Sequence, residues 1–397
     1  MEQLTGLEEL QRHVGVLACI DETQAPFVSC YLDLARGEAG YRMALDDRAF
    51  ALRATLDDDA RTDFEAALGQ IEAYLAERLR PDAQGVALFV RQFRDGGFFL
   101  PMQFAVPLPN WLVVNPSPHI YHLIALKDTY HRYVVMIATQ AWVRIAEVSL
   151  GAATVKAWTE QPELRARVGR EWTQAHYESY RREDTTRFLT EQIELLQRLM
   201  AAGGQTHLIL AGDPRLTSEI RRVLPPSVTA KLVDTIPVTS RDAAQDVVAA
   251  TLSAFVEWEE QESQAVAARF IRGIRTQGLA AVGAAACMEA LRQRRADVLL
   301  LARDYKPEPG RRCASCGAFG TEREVLAACR ECGQPALRLV DTREELIRLA
   351  GQRECPVEVV EYCDPLMALG GVGCLLRYRA PVDDAVERNG RYRETRS

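Results

Sequence analysis

Two pairs of cysteines form the strongest chemical pattern in the sequence. Cys313 and Cys316 make one Cys-x-x-Cys hook, and Cys329 and Cys332 make a second hook twelve residues further on. Two such hooks can supply four thiolates at the corners of a tetrahedron around Zn²⁺, and four protein ligands leave no open position for catalysis. The alternatives are two disulfides, which need an oxidising compartment, or a chance spacing. The pattern predicts a structural zinc site.

The other six cysteines lack this spacing and fall in or beside apolar segments. A free cysteine in such a place behaves as a small hydrophobic residue. We therefore expect buried core thiols at Cys19, Cys30, Cys287, Cys355, Cys363 and Cys374.

A basic and aromatic segment, residues 160–184, interrupts an otherwise ordinary α/β pattern; we call it the probe loop. Its arginines can neutralise phosphate, and Trp172, Tyr177 and Tyr180 can stack on unpaired bases, which is the usual way to contact RNA. The alternative is a solvated loop that ends where Thr173 caps the next helix, since five acidic residues dilute its charge. A general-base role for His176 has no partner that the sequence can assign.

A Gly-Gly-Gln tripeptide at residues 203–205 has the composition of the catalytic tip of translation release factors. An active tip must stand in a long exposed loop. Here the tripeptide lies between a long helical pattern and an apolar strand, where a helix needs glycine to end. The position favours a structural role over a catalytic one.

Length, composition and charge narrow the classes of function. A chain of 397 residues suggests two or three domains. A net charge of −7 and a pI of about 5.6 argue against broad binding to DNA or other polyanions. No apolar run is long enough to span a bilayer, and the N-terminus lacks the pattern of a secretion signal. We expect a cytoplasmic protein that does not bind membranes.

Hydrophobic periodicity divides the chain into three α/β units and a polar tail. In the first unit the pattern predicts helices around two strands. In the second unit it predicts three strands in meander order followed by a long amphipathic helix. The pattern of the third unit predicts one very long helix over 242–277, an Ala-rich helix over 279–292, and strands before and after the cysteines, as in an α/β/α layer. The predicted boundaries are residues 1–128, 129–238, 239–380 with a zinc insertion at 310–335, and a tail at 381–397.

Three segments of the chain resemble the class-I peptide chain release factors of archaea and eukaryotes and their relative Pelota, in a divergent bacterial form. Residues 133–151 (YVVMIATQAWVRIAEVSLG) are similar to the opening of that family's middle domain, and residues 207–214 (HLILAGDP) to a later strand and turn. Residues 368–380 (ALGGVGCLLRYRA) are similar to the end of its C-terminal domain, where some archaeal members also carry paired Cys-x-x-Cys hooks. The resemblance implies a three-domain fold with the probe loop in an α/β middle domain.

The chain departs from this family at the catalytic position. Release factors place their Gly-Gly-Gln loop between the third middle-domain strand and the long helix. Here Gln174 holds the place of the catalytic glutamine, and Trp172 and Thr173 replace the two glycines that allow close approach to the ester. Residues 34–68 contain no Asn-Ile-Lys-Ser stop-codon motif. The comparison with the family implies that stop-codon-dependent release is absent.

The resemblance, which extends to the Balon-like ribosome hibernation factors, implies a factor that binds the ribosomal A site. The N-terminal domain would occupy the decoding region, and the C-terminal domain would contact the stalk base or a translational GTPase such as elongation factor Tu. The probe loop would reach the peptidyl-transferase centre and contact rRNA. The residues implied for that contact are Arg165, Arg167, Gly169, Arg170, Glu171, Trp172, Thr173, Gln174, His176, Arg181 and Arg182.

Two other functions stay open at this point. One is enzymatic: a rescue or release factor that hydrolyses peptidyl-tRNA, with Gln174 orienting the water molecule. The other is a scaffold that uses the fold away from ribosomes. No catalytic residue is assigned otherwise, and the sequence contains no phosphate-binding loop or hydrolase elbow.

Overall fold

The computed structural model describes residues 3–20, 26–92, 97–139, 142–160, 174–239, 242, 244–276, 278–320, 328–335 and 337–378. Side chains are described from residue 186 in the helix that begins at 174, and from residue 246 in the helix that begins at 244. The chain forms two compact units, Met1–Gln261 and Glu262–Ser397. The finer division into three domains remains a prediction.

The first part of the first unit is an antiparallel sheet with the order β3-β2-β1-β4. Alternate residues of its central strands, such as Val28 and Leu88, pack against Leu45 and Phe64 of two helices. Asp57 caps the second of these helices by accepting a hydrogen bond from the Ala60 N–H at 2.8 Å, as expected of an N-cap carboxylate. The elements are α1 (Leu7–Ala18), β1 (Phe27–Asp33), α2 (Gly37–Arg53), α3 (Asp58–Glu77), β2 (Gly85–Arg91), β3 (Phe98–Phe104), β4 (Trp111–Asn115) and α4 (Tyr121–Thr129).

The rest of the first unit is a mixed five-stranded sheet with the order β7-β6-β5-β8-β9. Its first three strands form the predicted antiparallel meander, and the last two run parallel to β5. The elements are β5 (Tyr133–Ala138), β6 (Trp142–Ser149), β7 (Ala152–Glu160), α5 (Gln174–Gly203), β8 (Leu208–Gly212), α6 (Pro214–Val223), α7 (Pro226–Thr229), β9 (Leu232–Pro237) and α8 (Ala244–Arg275), whose residues from Glu262 on belong to the second unit.

Each face of this mixed sheet is covered by a helix. On one face Met136 packs with Leu189, Ile193 and Leu196 of α5, which confirms the predicted apolar face of that helix. On the other face Tyr133 stacks on Phe255 of α8 with ring centroids 4.5 Å apart. Successive side chains of β5 point to opposite faces and therefore contribute to both cores, as expected of a strand in the middle of a sheet.

The second unit contains a four-stranded sheet, β10-β16-β11-β15, and a small antiparallel sheet, β13-β12-β14. The small sheet carries the paired hooks. The elements are β10 (Ala280–Val282), α9 (Ala284–Arg292), β11 (Ala296–Ala302), β12 (Gly310–Cys313), β13 (Phe319–Gly320), β14 (Leu337–Val340), α10 (Thr342–Gln352), β15 (Val357–Val360), α11 (Asp364–Ala368) and β16 (Val372–Leu376). Among the described residues, no helix combines the length and apolar composition needed to cross a membrane.

Two predicted boundaries are wrong. The sequence predicts one helix over the Ala-rich stretch 279–292, but the start of this stretch is β10, in which Ala281 pairs with Cys374 of β16. Gly283, with a φ of +84°, separates that strand from α9. The sequence also predicts a probe loop that extends to residue 184, but α5 already begins at Gln174, in a run rich in good helix formers.

Four of the six expected core thiols are buried, and two are not. Cys30, Cys287, Cys355 and Cys374 are buried as predicted. Cys19 is exposed because it is the C-cap of α1, beyond the last apolar turn, and Cys363 at the start of α11 is only partly buried. The two exceptions lie at helix ends, where an apolar neighbour in sequence does not ensure a buried position.

Candidate metal centre and neighbouring functional elements

The four hook cysteines converge on one point of the second unit. The Sγ atoms of Cys313, Cys316, Cys329 and Cys332 all lie within 4.8 Å of one another. The Sγ atoms of Cys313 and Cys332 are 3.6 Å apart, and so are those of Cys316 and Cys329. In a disulfide the two Sγ atoms would be about 2 Å apart. A tetrahedron with metal–sulfur bonds of about 2.3 Å has sulfurs about 3.8 Å apart, so the cluster fits a four-thiolate metal site.

The two hooks have the same backbone hydrogen bonds. In the first hook, the Cys313 N–H donates to the Ala318 carbonyl at 2.8 Å, and the Gly317 N–H donates to the Cys313 carbonyl at 2.9 Å. The second hook repeats both bonds sixteen residues later, at 2.8 Å each. Gly317 and Gly333 have φ values of +73° and +72°, a region in which glycine has no steric penalty. These turns hold the thiols of each hook in position.

Hydrogen bonds from the backbone favour the thiolate form of Cys313, one of the four thiols of the cluster. Cys313 and Cys329 are buried, whereas Cys316 and Cys332 are exposed. Backbone hydrogen bonds from Cys316, and more weakly from Ser315, lower the pKa of the Cys313 thiol to about 6. Metals bind the thiolate form of cysteine. The arrangement can therefore hold a metal ion without a large cost for deprotonating Cys313.

The Gly-Gly-Gln tripeptide is a helix terminus, which confirms the structural interpretation. α5 ends at Gly203, and Gly204 has a φ of +64°. The Gln205 side chain is buried and donates from Nε2 to Glu147 Oε2 at 3.0 Å, while Lys231 Nζ donates to the Gln205 carbonyl at 2.9 Å. A glutamine held in this way cannot reach an ester in another molecule.

The predicted rRNA contacts of the probe loop lie outside the described residues or side chains. Residues 161–173 are not described, and neither are the side chains of residues 174–185. The contacts therefore remain predictions at Arg165, Arg167, Gly169, Arg170, Glu171, Trp172, Thr173, Gln174, His176, Arg181 and Arg182.

The structure also brings together three residues that sequence reasoning did not select. The guanidinium carbon of Arg144 lies 4.6 Å from the ring centroid of Trp142 and 4.3 Å from that of Trp158. Trp142 and Arg144 share a strand face because they are two residues apart. The position of Trp158 opposite Arg144 depends on the register of β6 and β7, which shifts at a bulge and so could not be read from the sequence.

Comparison with known proteins identifies the middle of the chain. Residues 118–256 match the family described as "Bacterial archaeo-eukaryotic release factor family 10". This part of the chain is therefore similar to bacterial relatives of the archaeal and eukaryotic release factors. The matched part begins before α4 and ends within α8, so it contains the whole mixed sheet and the probe loop. None of the curated proteins compared with the chain matches it.

The solved structures that are similar to this chain are distant from it in sequence. Pelota of Archaeoglobus fulgidus is 12% identical over 96% of this chain and 94% of its own, with a TM-score of 0.35. Dom34 of S. cerevisiae is 10% identical over 95% of each chain, with a TM-score of 0.40. A ribosome-bound archaeal Pelota, described in a model with ABCE1, is 14% identical over 96% of each chain, with a TM-score of 0.42.

Proposed function

We propose that the protein is a ribosome-binding translation factor of the A site that acts in ribosome hibernation, without stop-codon-dependent release. The observation that carries this proposal is the release-factor family match over residues 118–256. The probe loop lies inside the match, between the third strand of the meander and the long helix α5. That is the position from which release factors present their catalytic tip, so the loop is the part expected to reach the peptidyl-transferase centre.

Two features support binding without hydrolysis. The one Gly-Gly-Gln tripeptide in the sequence lies where α5 ends, and the side chain of its Gln205 is buried. At the position that matches the catalytic tip, Trp172 and Thr173 precede Gln174. An indole in place of glycine occupies space that the ester and a water molecule would need. The side chain of Trp172 would instead stack on an rRNA base or block the site.

The four-cysteine cluster is proposed to bind a structural Zn²⁺. A tetrahedral set of four thiolates is the donor set that zinc prefers in structural sites, and it leaves no position for substrate. The ion would stabilise the small sheet of the second unit. The second unit would in turn contact the ribosomal stalk base or a GTPase such as elongation factor Tu.

Co-sedimentation with vacant bacterial ribosomes tests the proposal. The wild type is compared with a variant in which Arg167, Arg170 and Trp172 are changed to Ala. A matched control changes the exposed Arg221, Arg222 and Val223 at the end of α6 to Ala, which removes the same charge elsewhere. The wild type and the control should pellet with ribosomes, and the probe-loop variant should not. If the wild type fails to pellet at every salt concentration, with and without the GTPase, the scaffold alternative is favoured.

A release assay on ribosomes carrying peptidyl-tRNA tests the enzymatic alternative. The proposal expects no peptide release by the wild type under conditions in which it pellets. Release by the wild type that Gln174→Ala abolishes would replace the proposal with a rescue or release factor.

A further inference from the structure

The outer strands of the mixed sheet carry an exposed aromatic surface, and the last of these strands directly precedes the probe loop in the sequence. We call Trp142, Arg144 and Trp158 the indole platform. Arg144 pairs with Ile137 on one side and with Trp158 on the other, so the platform lies on the sheet face that also carries Tyr133. Trp142 packs against the core of that face, whereas Trp158 is 56% exposed. The platform is therefore anchored at one end and open at the other.

The surface around the open end is also uncovered. Val155 lies on the same face of β7, because it pairs with Ala146, and it is 58% exposed. By contrast, Tyr133 on β5 is covered by Phe255. An exposed tryptophan beside an exposed valine on an edge strand marks a surface at which another molecule can dock.

We propose that the indole platform binds an unpaired RNA base together with a neighbouring phosphate. An indole offers a π-face on which any base can stack, and this contact is tolerant of sequence. The arginine between the two indoles adds a fixed positive charge beside the stacking surface, which complements a phosphate. Both groups that single-stranded RNA requires are thus present within one pair of strands.

The charge of Arg144 is available to such a ligand. Within the described part of the chain, no carboxylate forms an ion pair with Arg144, so no neighbouring side chain neutralises its charge; its Nε is buried, which leaves the terminal nitrogens to meet a phosphate. Glu160 shares this face at the end of β7, opposite Trp142, and forms no ion pair with Arg144. A purely apolar peptide would use the indoles but would leave this cation without a counter-charge, so the arginine favours RNA over protein.

The position of the platform suggests which RNA it contacts. β7 ends at Glu160, and the arginine-rich probe loop follows directly in the sequence. A base stacked on Trp158 would flank the site that the loop enters. The assignment to ribosomal RNA rests on the proposed function, whereas the chemistry of the platform does not.

Binding of a fluorescent, unstructured RNA decamer to the full chain tests the platform directly. Trp158→Ala should raise the Kd about tenfold, since one stacked base contributes roughly 1–3 kcal/mol. Trp158→Phe should retain most of the affinity, and Val223→Ala, which removes an exposed apolar side chain of α6 outside the platform, serves as the control. Arg144→Gln should reduce the slope of log K against log salt by about 0.7, as expected for one phosphate contact on a single strand. Equal affinity of wild type and Trp158→Ala would overturn the proposal.

Ultraviolet cross-linking of the pelleted ribosome complex separates this proposal from the proposed function. Attachment of the Trp158 peptide to an rRNA nucleotide supports both. Decamer binding that depends on Trp158, without pelleting, supports the platform and overturns ribosome binding. If Trp158→Ala changes neither the pelleting nor the binding of the decamer, the ribosome proposal stands and the platform is overturned. Cross-linking of the Trp158 peptide to a ribosomal protein instead of RNA overturns the choice of ligand.

Discussion

The N-terminal sheet and the hook-bearing sheet are expected to be stabilised by different interactions. The sheet β3-β2-β1-β4 shares a core of sixteen buried residues with α2 and α3. Among the described residues of the sheet β13-β12-β14, the buried cluster consists of Cys313, Ala318 and Cys329, with Leu337 packed beside it. Two of those three buried residues are proposed metal ligands. Apolar burial dominates in the first region, whereas the described part of the second buries few apolar side chains and is expected to depend on the proposed metal ion.

The cysteines of the two regions show the same contrast. Burial raises the pKa of the Cys30 thiol in β1 to about 12, so this residue behaves as a small apolar side chain. In Cys313 of β12, hydrogen bonds from backbone N–H groups lower the pKa to about 6. The same residue type on a buried strand is inert in one sheet and prepared to bind a metal in the other.

Metal removal should have the largest effect and should be confined to one region. Chelation, or the change Cys313→Ser, is expected to unfold residues 310–340, because structural zinc contributes on the order of 10 kcal/mol to the folding of small zinc domains. Hydrogen exchange should increase there and stay unchanged in β2. Cys19→Ser is the control, because that exposed thiol lies outside the cluster. Near-stoichiometric zinc in the Cys313→Ser protein would contradict the ligand assignment.

Truncation of a core side chain should destabilise the N-terminal region and not the hook-bearing sheet. Phe64 is fully buried in the N-terminal core, and Phe64→Ala should lower the free energy of unfolding by about 3–5 kcal/mol through lost burial and a cavity. Urea denaturation with and without a chelator measures this loss, which should not depend on metal. Phe50→Ala, at a position that is 77% exposed, is the matched control and should change stability little. A loss that disappears on chelation would mean that the two regions are coupled.

Alkaline pH should lower the free energy of unfolding through ionisation of the buried Tyr133. Burial raises the pKa of Tyr133 to about 12, and a weaker hydrogen bond to Thr251 opposes the shift. The unfolded chain loses this proton near pH 10, so the stability that Tyr133 contributes is present below pH 10 and is lost as the pH rises towards 12. In Tyr133→Phe, the difference in urea midpoint between pH 9 and pH 11 should shrink. The same change at Tyr362, which is 74% exposed, should leave that difference as in the wild type.

The glycines of the hooks should show the smallest effect and test whether the hooks are equivalent. Gly317 and Gly333 have open space where a Cβ atom would lie, so only the positive φ opposes a substitution. Gly317→Ala and Gly333→Ala should each cost about 1–2 kcal/mol, measured as faster loss of zinc to a chelator. Gly320→Ala, where the backbone is not in the left-handed region, should have no such effect. Unequal costs at the two glycines would show that one hook dominates.

Much of the fold could be predicted from local patterns because those patterns match the final contacts. The period of Leu189, Ile193 and Leu196 predicts the buried face of α5, and the paired hooks predict the convergence of four thiols. β10 could not be predicted, because small residues such as Ala281 have no strong preference and become a strand only by pairing with β16. The strands around the hooks are similarly short and depend on partners that are distant in sequence.

The indole platform shows where sequence reasoning stops at a site. Trp142 and Arg144 are two residues apart, so the sequence alone predicts that they share one face of a strand. Whether Trp158 lies opposite Arg144 depends on a bulge that inserts one residue between two register positions. One residue more or less in a strand pair would move a side chain to the other face. The aromatic contact therefore had to come from the structure.

The repeated hydrogen bonds of the hooks have a consequence for how an ion is captured. Each hook closes its own turn through bonds that span at most six residues, so it can form without the other. An ion held by the two sulfurs of one hook would meet the second pair at an effective concentration in the range of about millimolar. Binding thereby becomes a two-step chelation in which the second step is intramolecular. The avidity of the complete site should then far exceed that of either hook, and the ion should leave only when both have opened.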